Sequence, residues 1–194
     1  MPAAKRISKE AIIDAAAAVL RTGGFEAINA RSVAKELGCS TQPIYLSFRN
    51  MEELKSALTQ RAIEQHTRRV RASLRAHEGC DSRYSSYGMG FVQFAAQEKQ
   101  LFRWLYLEDN QPGRHQEDVL EPEIIQTVID EFGYDEVTAR AFHRDMTYYS
   151  YGLAILANTG HLTLTEPELR EAFRREFRAL AAYYGPPKKL PEFA

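Results

Sequence analysis

Two cysteines in 194 residues, Cys39 and Cys80, build no disulfide framework and stand at no metal-ligand spacing. The five histidines, at 66, 77, 115, 143 and 161, are scattered. No pair of them combines helical ligand spacing with a carboxylate or cysteine partner, so a metal site is not expected. A glycine-rich phosphate loop, a nucleophile elbow and an internal repeat are all missing. No cofactor is implied, and the chain does not read as an enzyme. Long apolar runs are missing too. Ile12 to Leu20 is rich in alanine, is broken by Asp14 and is too short to span a bilayer. With no cleavage site behind that run, the expected location is the cytoplasm.

Charge of one sign is also lacking, with a net of -1, which looks wrong for a nucleic-acid binder until its distribution is read. Residues 1–75 hold 13 Lys and Arg against 7 Asp and Glu, and the remainder hold 12 against 19. The pattern is a basic end on an acidic body. Four of the thirteen (Arg68, Arg69, Arg71, Arg75) fall late on a long helix, roughly 30 Å from its start at about 1.5 Å per residue. Without them the excess is 9 against 7, so charge supports a binding end but does not locate it.

The stretch from Asn29 to Leu54 locates it. Asn29 can cap a helix, Val33, Ala34 and Leu37 share one face, and Gly38 stops it as only glycine does without strain. After Cys39, either Ser40 or Gln42 caps a second short helix carrying Ile44, Tyr45 and Phe48. Pro43 fits its first turn but disfavours helical geometry at Gln42. Two short helices joined by a glycine turn make a helix-turn-helix. Thr41 and Gln42 stand where such a helix meets base edges. Gln42 can pair with adenine N6 and N7, and Thr41 can hydrogen-bond or touch a thymine methyl. Arg31, on the preceding helix, can fork to guanine or hold a phosphate.

Val33-Ala34, Leu37-Gly38, Ser40, Ile44-Tyr45, Phe48 and Glu53-Leu54 together closely resemble the DNA-binding segment of the TetR family of transcriptional regulators. The resemblance implies an all-α fold. An N-terminal three-helix helix-turn-helix domain joins, through a long helix, a helical bundle that binds a ligand and dimerises. It implies that Tyr45 bonds a phosphate, that Phe48 is core, and that Lys5, Arg6 and Lys9 reach the DNA backbone. The family usually has lysine where this chain has Met51, which leaves Arg49 or Lys55 to compensate. The expected DNA-contacting set is therefore Lys9, Arg31, Thr41, Gln42, Tyr45, Arg49 and Lys55.

Around that stretch the chain reads as helices. Ser8 caps the first, which ends at Gly23-Gly24, with Phe25 plugging the gap beneath the next. Asn50 and Glu53 form a capping box for the fourth, which runs toward a joint at Glu78–Ser82. Tyr84, Tyr87, Phe91 and Phe94 follow one face of the next helix, and Phe102, Trp104, Leu105 and Tyr106 crowd another. Asp109 to Gly113 breaks the pattern, and Pro122 is expected to begin a helix ending at Gly133. A helix from about Asp135 to Thr159 carries two stripes, Phe142-Met146-Tyr149-Leu153-Leu156 and Tyr148-Tyr151-Ile155. Thr165 with Glu168 caps the last.

Domain boundaries are expected at 1–50, 51–185 and a loose tail, 186–194. From the resemblance, Tyr84, Tyr87, Phe91, Trp104 and Tyr148 are candidates to line a pocket for an effector the sequence does not name. Aromatics at that spacing also serve simply as core. The last two helices would pair with a second copy, though a monomer with a thicker core fits the same stripes. The function expected is a ligand-responsive regulator, a repressor released from its operator by a small molecule. The alternatives are a ligand-independent DNA-binding regulator, or a helical enzyme or lipid-binding module with a vestigial DNA-binding end. The enzyme reading would need polar groups such as Glu98, Glu108 and His143 to converge.

Overall fold

Ser8 accepts a hydrogen bond from the Ala11 amide at 3.1 Å and opens the first helix, α1, Lys9–Gly23. The structure, a computed structural model, describes residues 7–75, 82–108 and 112–188. The side chains of Ser73 and of residues 112–118 are left undescribed. Cys80, the joint at 78–82 apart from Ser82, and the tail beyond Lys188 lie outside the described residues, as do Lys5 and Arg6. A short 3-10 turn, Phe25–Ala27, leads to α2 (Ala30–Leu37), α3 (Gln42–Ser47) and α4 (Met51–Arg75). Then come α5 (Arg83–Gln97), α6 (Lys99–Phe102) with a π turn over Arg103–Leu107, α7 (Pro112–Phe132), α8 (Glu136–Thr159) and α9 (Glu166–Tyr184). Among the described residues there is no strand.

The contacts divide into two compact units. One lies within Met1–Gln65 and Glu98–Arg114, the other within His66–Gln97 and His115–Ala194. The division falls inside α4, at 65/66, rather than before it. The first unit buries Ile12, Leu20, Val33, Ile44, Phe48, Leu54 and Leu58. Phe25, half-buried, stacks on Trp104 with ring centroids 4.8 Å apart and planes 13° from parallel. That stack draws the 98–107 segment into the first unit. The π turn that carries Trp104 is closed by the Glu108 amide donating to the Arg103 carbonyl, five residues back, at 3.1 Å.

The second unit is knit by aromatic rings. Phe132, Phe142 and Phe177 meet mutually at 4.9 to 5.9 Å, and Tyr84 sets its edge against Phe132 at 5.8 Å. Such pairs are worth about 0.5–1.5 kcal/mol each beyond the area they bury. The start of α5 is satisfied from another helix. The Arg83 and Tyr84 amides donate to the Glu131 carboxylate at 2.9 and 3.1 Å, where an anion complements a helix N-terminus. At the other end of α5 the amide of Asn158, itself 1% exposed, donates to the Ala95 carbonyl at 2.9 Å. Ala95 is one of the last four residues of α5, whose carbonyls lack intrahelical donors.

Two expectations need correction. The helix expected to begin at Pro122 begins at Pro112, with Pro122 inside it. A proline interior to a helix removes one hydrogen bond without ending it when both flanks are otherwise helical. The inner stripe of α8 is Ala139, Phe142, Met146, Ser150, Ala154 and Asn158, rather than a line through Tyr149 and Leu153. Ser150 can be buried because its hydroxyl donates to the Met146 carbonyl at 2.7 Å.

Candidate nucleic-acid interface and ligand cavities

The helix-turn-helix is built by local bonds. The Asn29 side chain accepts from the Arg31 and Ser32 amides at 3.0 Å each, and the Ser32 hydroxyl accepts from the Asn29 amide at 3.1 Å. Gly38 closes α2 with φ 66°, ψ 34°, and the Cys39 amide donates to the Ala34 carbonyl at 3.0 Å. Neither Ser40 nor Gln42 caps α3. Thr41 stands there with near-helical angles and no side-chain cap bond, because Pro43 already occupies the first turn. Ile44 and Phe48, 1% and 2% exposed, fasten α3 from beneath.

The opposite face is bare. Gln42 is exposed, Tyr45 is 56% exposed and Leu46 is 80% exposed. Gln42 and Leu46 are one turn apart, and Leu46 lies roughly 200° around the helix from Ile44. Thr41 is half-buried at the edge of this face, and Arg31 is exposed on α2. Leu46 did not stand out in the sequence, because an apolar residue in an apolar-patterned helix reads as core.

Glu53 gathers two of the expected cations. Its carboxylate accepts from the Arg49 amide at 2.8 Å and from Arg49 Nε at 3.3 Å, and lies 3.6 Å from Lys9 Nζ. The Glu53 amide donates to Asn50 Oδ1 at 2.9 Å, so half of the expected capping box forms. The carboxylate half turns back to Arg49, and that backbone bond, with Arg49's side-chain bond next, holds Glu53 below the usual carboxylate range. Lys9 also sits over the Phe48 ring at 4.5 Å. Lys55 is directed elsewhere. Its stem is mostly buried, its ammonium stands over Phe25 at 4.8 Å, and Glu52 is 3.8 Å away. It belongs with the Phe25–Trp104 stack, because a lysine one turn into α4 can lay its methylenes on that ring.

Residues 12–58 match the model of the bacterial regulatory proteins of the tetR family. That segment is a regulatory-protein domain of the tetR family. Solved structures share its fold over nearly its whole length. A protein of Pseudomonas aeruginosa PAO1 assigned to the transcriptional regulators aligns with TM-score 0.64 at 18% identity, covering 90% of each chain. The fatty acid degradation regulator FadR from Bacillus halodurans aligns at 0.57 and 16%, covering 89% of this chain and 93% of its own. A TetR-family protein from Vibrio parahaemolyticus aligns at 0.57 and 17%, covering 88% and 97%. A comparison with curated proteins finds no match.

Two cavities lie among the described residues of the second unit. The first is lined by Tyr84, Tyr87, Phe91, His143, Phe173 and their neighbours and encloses about 30 Å³. The hydroxyl of Tyr84 and Nδ1 of His143 are 2.8 Å apart. Burial pushes the imidazole down to about 4 and the phenol well above its ordinary value, so the pair is neutral on both sides. The second cavity, between α4 and α5, encloses about 380 Å³. Tyr87 and Phe91 line both.

Of the five aromatics expected at a pocket, Tyr84, Tyr87 and Phe91 line a cavity. Trp104 and Tyr148 do not. Trp104 is committed to Phe25, and Tyr148 is 68% exposed, two positions and so roughly 200° around α8 from the buried Met146. His143 and His66 line cavities, and their spacing in the chain gave no signal of it. Glu98 is engaged by Arg21 at 3.1 Å and His143 by Tyr84, so these groups of the enzyme alternative are each held in their own unit. Among the described residues no group of three His, Cys, Asp or Glu is placed to hold a metal, and no helix is long and apolar enough to cross a membrane.

Proposed function

We propose that this regulator binds duplex DNA as a homodimer, presenting Thr41, Gln42, Tyr45 and Leu46 to a major groove, and is a repressor released by a small molecule held in its second unit. The observation that carries the DNA half is the bare face of α3 above a buried Ile44 and Phe48. Arg31, Arg49 and Lys9 flank it as phosphate contacts, which fix register, while the α3 face reads bases. Such a protein works in the cytoplasm, where its operator is. Release follows from linkage. A ligand that binds more tightly to a DNA-incompetent arrangement weakens operator binding by that differential affinity, and the reverse holds equally. The helix α4 has residues in both units, which suits it to carry the coupling.

Selection from a random duplex pool, followed by fluorescence anisotropy on the enriched sequence with and without a metabolite panel, tests the proposal. A palindromic enriched site, bound by two chains and released by at least one metabolite, is the expected result. A pool that returns no enriched sequence sinks the DNA half. One observation favours the second reading, of a ligand-independent regulator. The aromatic cavity, at about 30 Å³, has room for a water rather than a metabolite, for which pockets of roughly 300–1,000 Å³ are usual. The larger cavity beside α4 answers that objection.

A further inference from the structure

We propose that the recess between α4 and α5 binds a small carboxylate with a planar apolar body, its acid group on Arg69 and its body against Phe91 and Phe94. This rests on the reading that the second unit receives an effector, and it names the chemistry of that effector. At about 380 Å³ the recess is on the scale of small-molecule sites. Its floor is aromatic. The rings of Phe91 and Phe94 line it, and His66 lies against Phe94 with centroids 4.8 Å apart.

Its charge is one-sided. Among the described residues no Asp or Glu lines this recess or the aromatic cavity beside it. The cation that does line it, Arg69, makes no ion pair among the described residues. Its neighbours on the same helix are committed: Arg61 to Asp14 at 2.7 Å and Arg71 to Glu123 at 2.7 Å. An arginine left without a carboxylate, at the rim of an acid-free aromatic recess, matches a planar carboxylate by its forked donors. Gln93 and Gln97, one turn apart on α5 and both in the lining, offer amide donors to the same group. A cationic ligand would meet Arg69 with no compensating carboxylate. His66 stays neutral in the working range, because burial and then the charge of Arg69 push its imidazole down to about 4.

The test uses the full-length protein and matched probes that differ only in charge: 1-naphthoate against 1-naphthamide, and phenylacetate against phenylacetamide. Isothermal titration should show each acid binding at least 10-fold more tightly than its amide. Arg69→Gln, an exposed change that leaves the unliganded melting temperature in place, should remove that preference, with at least a 10-fold loss for the acids alone. Gln93→Leu should weaken the acids by a smaller factor. Equal binding of acid and amide, no binding of either acid, or a preference that survives in Arg69→Gln overturns the proposal. The same probes added to the DNA complex separate the two readings. Carboxylates that bind through Arg69 yet leave operator affinity unchanged keep the site and remove the effector role. Release of DNA by a molecule insensitive to Arg69→Gln keeps the effector reading and overturns this site.

Discussion

Arg49 and Lys9 are held by one carboxylate, and that sets how much each can offer a phosphate. Arg49 is almost wholly exposed and loses only an exposed pair when it turns to DNA, whereas Lys9 must also leave the Phe48 ring. Arg49→Ala should reduce the slope of log affinity on log salt by about 0.9, the value of one phosphate contact, and Lys9→Ala by less. Anisotropy titrations at four salt concentrations measure both, and equal slopes for wild type and Arg49→Ala would remove Arg49 from the interface. Leu46 is a different kind of contact. On a face presented to a groove, an isobutyl group gains most against a thymine methyl, which is worth about 0.8 kcal/mol or roughly fourfold. Replacing thymine by deoxyuridine in the selected duplex should cost wild type that factor and cost Leu46→Ala nothing.

His66 and His143 give the residue scale its pH dependence. Both have folded values depressed to about 4, against an ordinary 6.5. Acid therefore favours the unfolded chain, which binds these protons first. Their contribution is complete above 6.5 and drains away as pH falls toward 4. At pH 5 each should have lost about 2 kcal/mol. His66→Gln and His143→Gln should each flatten the fall in melting temperature between pH 7 and 5, and an unchanged profile would refute the assignment. None of this was legible in the sequence. His66 reads as one polar residue in the middle of a helix, and Tyr84 finds His143 across 59 positions that no spacing rule connects.

Helices were legible where local chemistry marks both ends. Asn29 and Gly38 bound α2, Asp135 and Gly160 bound α8, and Thr165 with Glu168 opens α9, so those spans follow from capping residues and left-handed glycines. The first half of α7 has neither apolar periodicity nor a proline-free run, so nothing in its sequence marked it as helical. The fate of Trp104 depends on a π turn, whose extra residue per turn shifts the face a side chain shows without leaving a mark on composition. One packing detail also escaped. A Cβ added at Gly88 on α5 would come within 2.9 Å of the Phe173 ring on α9, so this glycine sets how closely the two helices approach. Gly88→Ala should destabilise by about 1–3 kcal/mol, since the ring is buried and has little room to yield. Denaturant unfolding reads it directly, and a neutral result would show that α9 can shift.

For the molecule as a whole, the charge asymmetry and the helix-turn-helix were readable at once, but the outer surface of α8 was not, because its inner stripe contains polar Ser150 and Asn158. The surface left outside is apolar in a way a lone chain does not need. Val137, Tyr148, Gly152 and Ile155 share one exposed face of α8, Leu156 adjoins it, and Tyr183 is exposed on α9. The space beside Gly152 is open, so a second helix can approach there. If two copies close on this strip, Ile155→Glu introduces like charges across the twofold and strands them in an apolar contact. Light scattering should then show half the mass. Operator affinity should fall on the order of 10²-fold or more, because each half-site is held alone once the two recognition helices are no longer linked. Val119→Glu supplies the control. That residue is also apolar and 61% exposed, but it lies on α7, and the variant should keep both mass and affinity. A monomeric Ile155→Glu that still binds the full operator at wild-type affinity would mean that dimerisation is not what holds this regulator to its site. An unchanged mass would mean that the strip faces something other than a second copy.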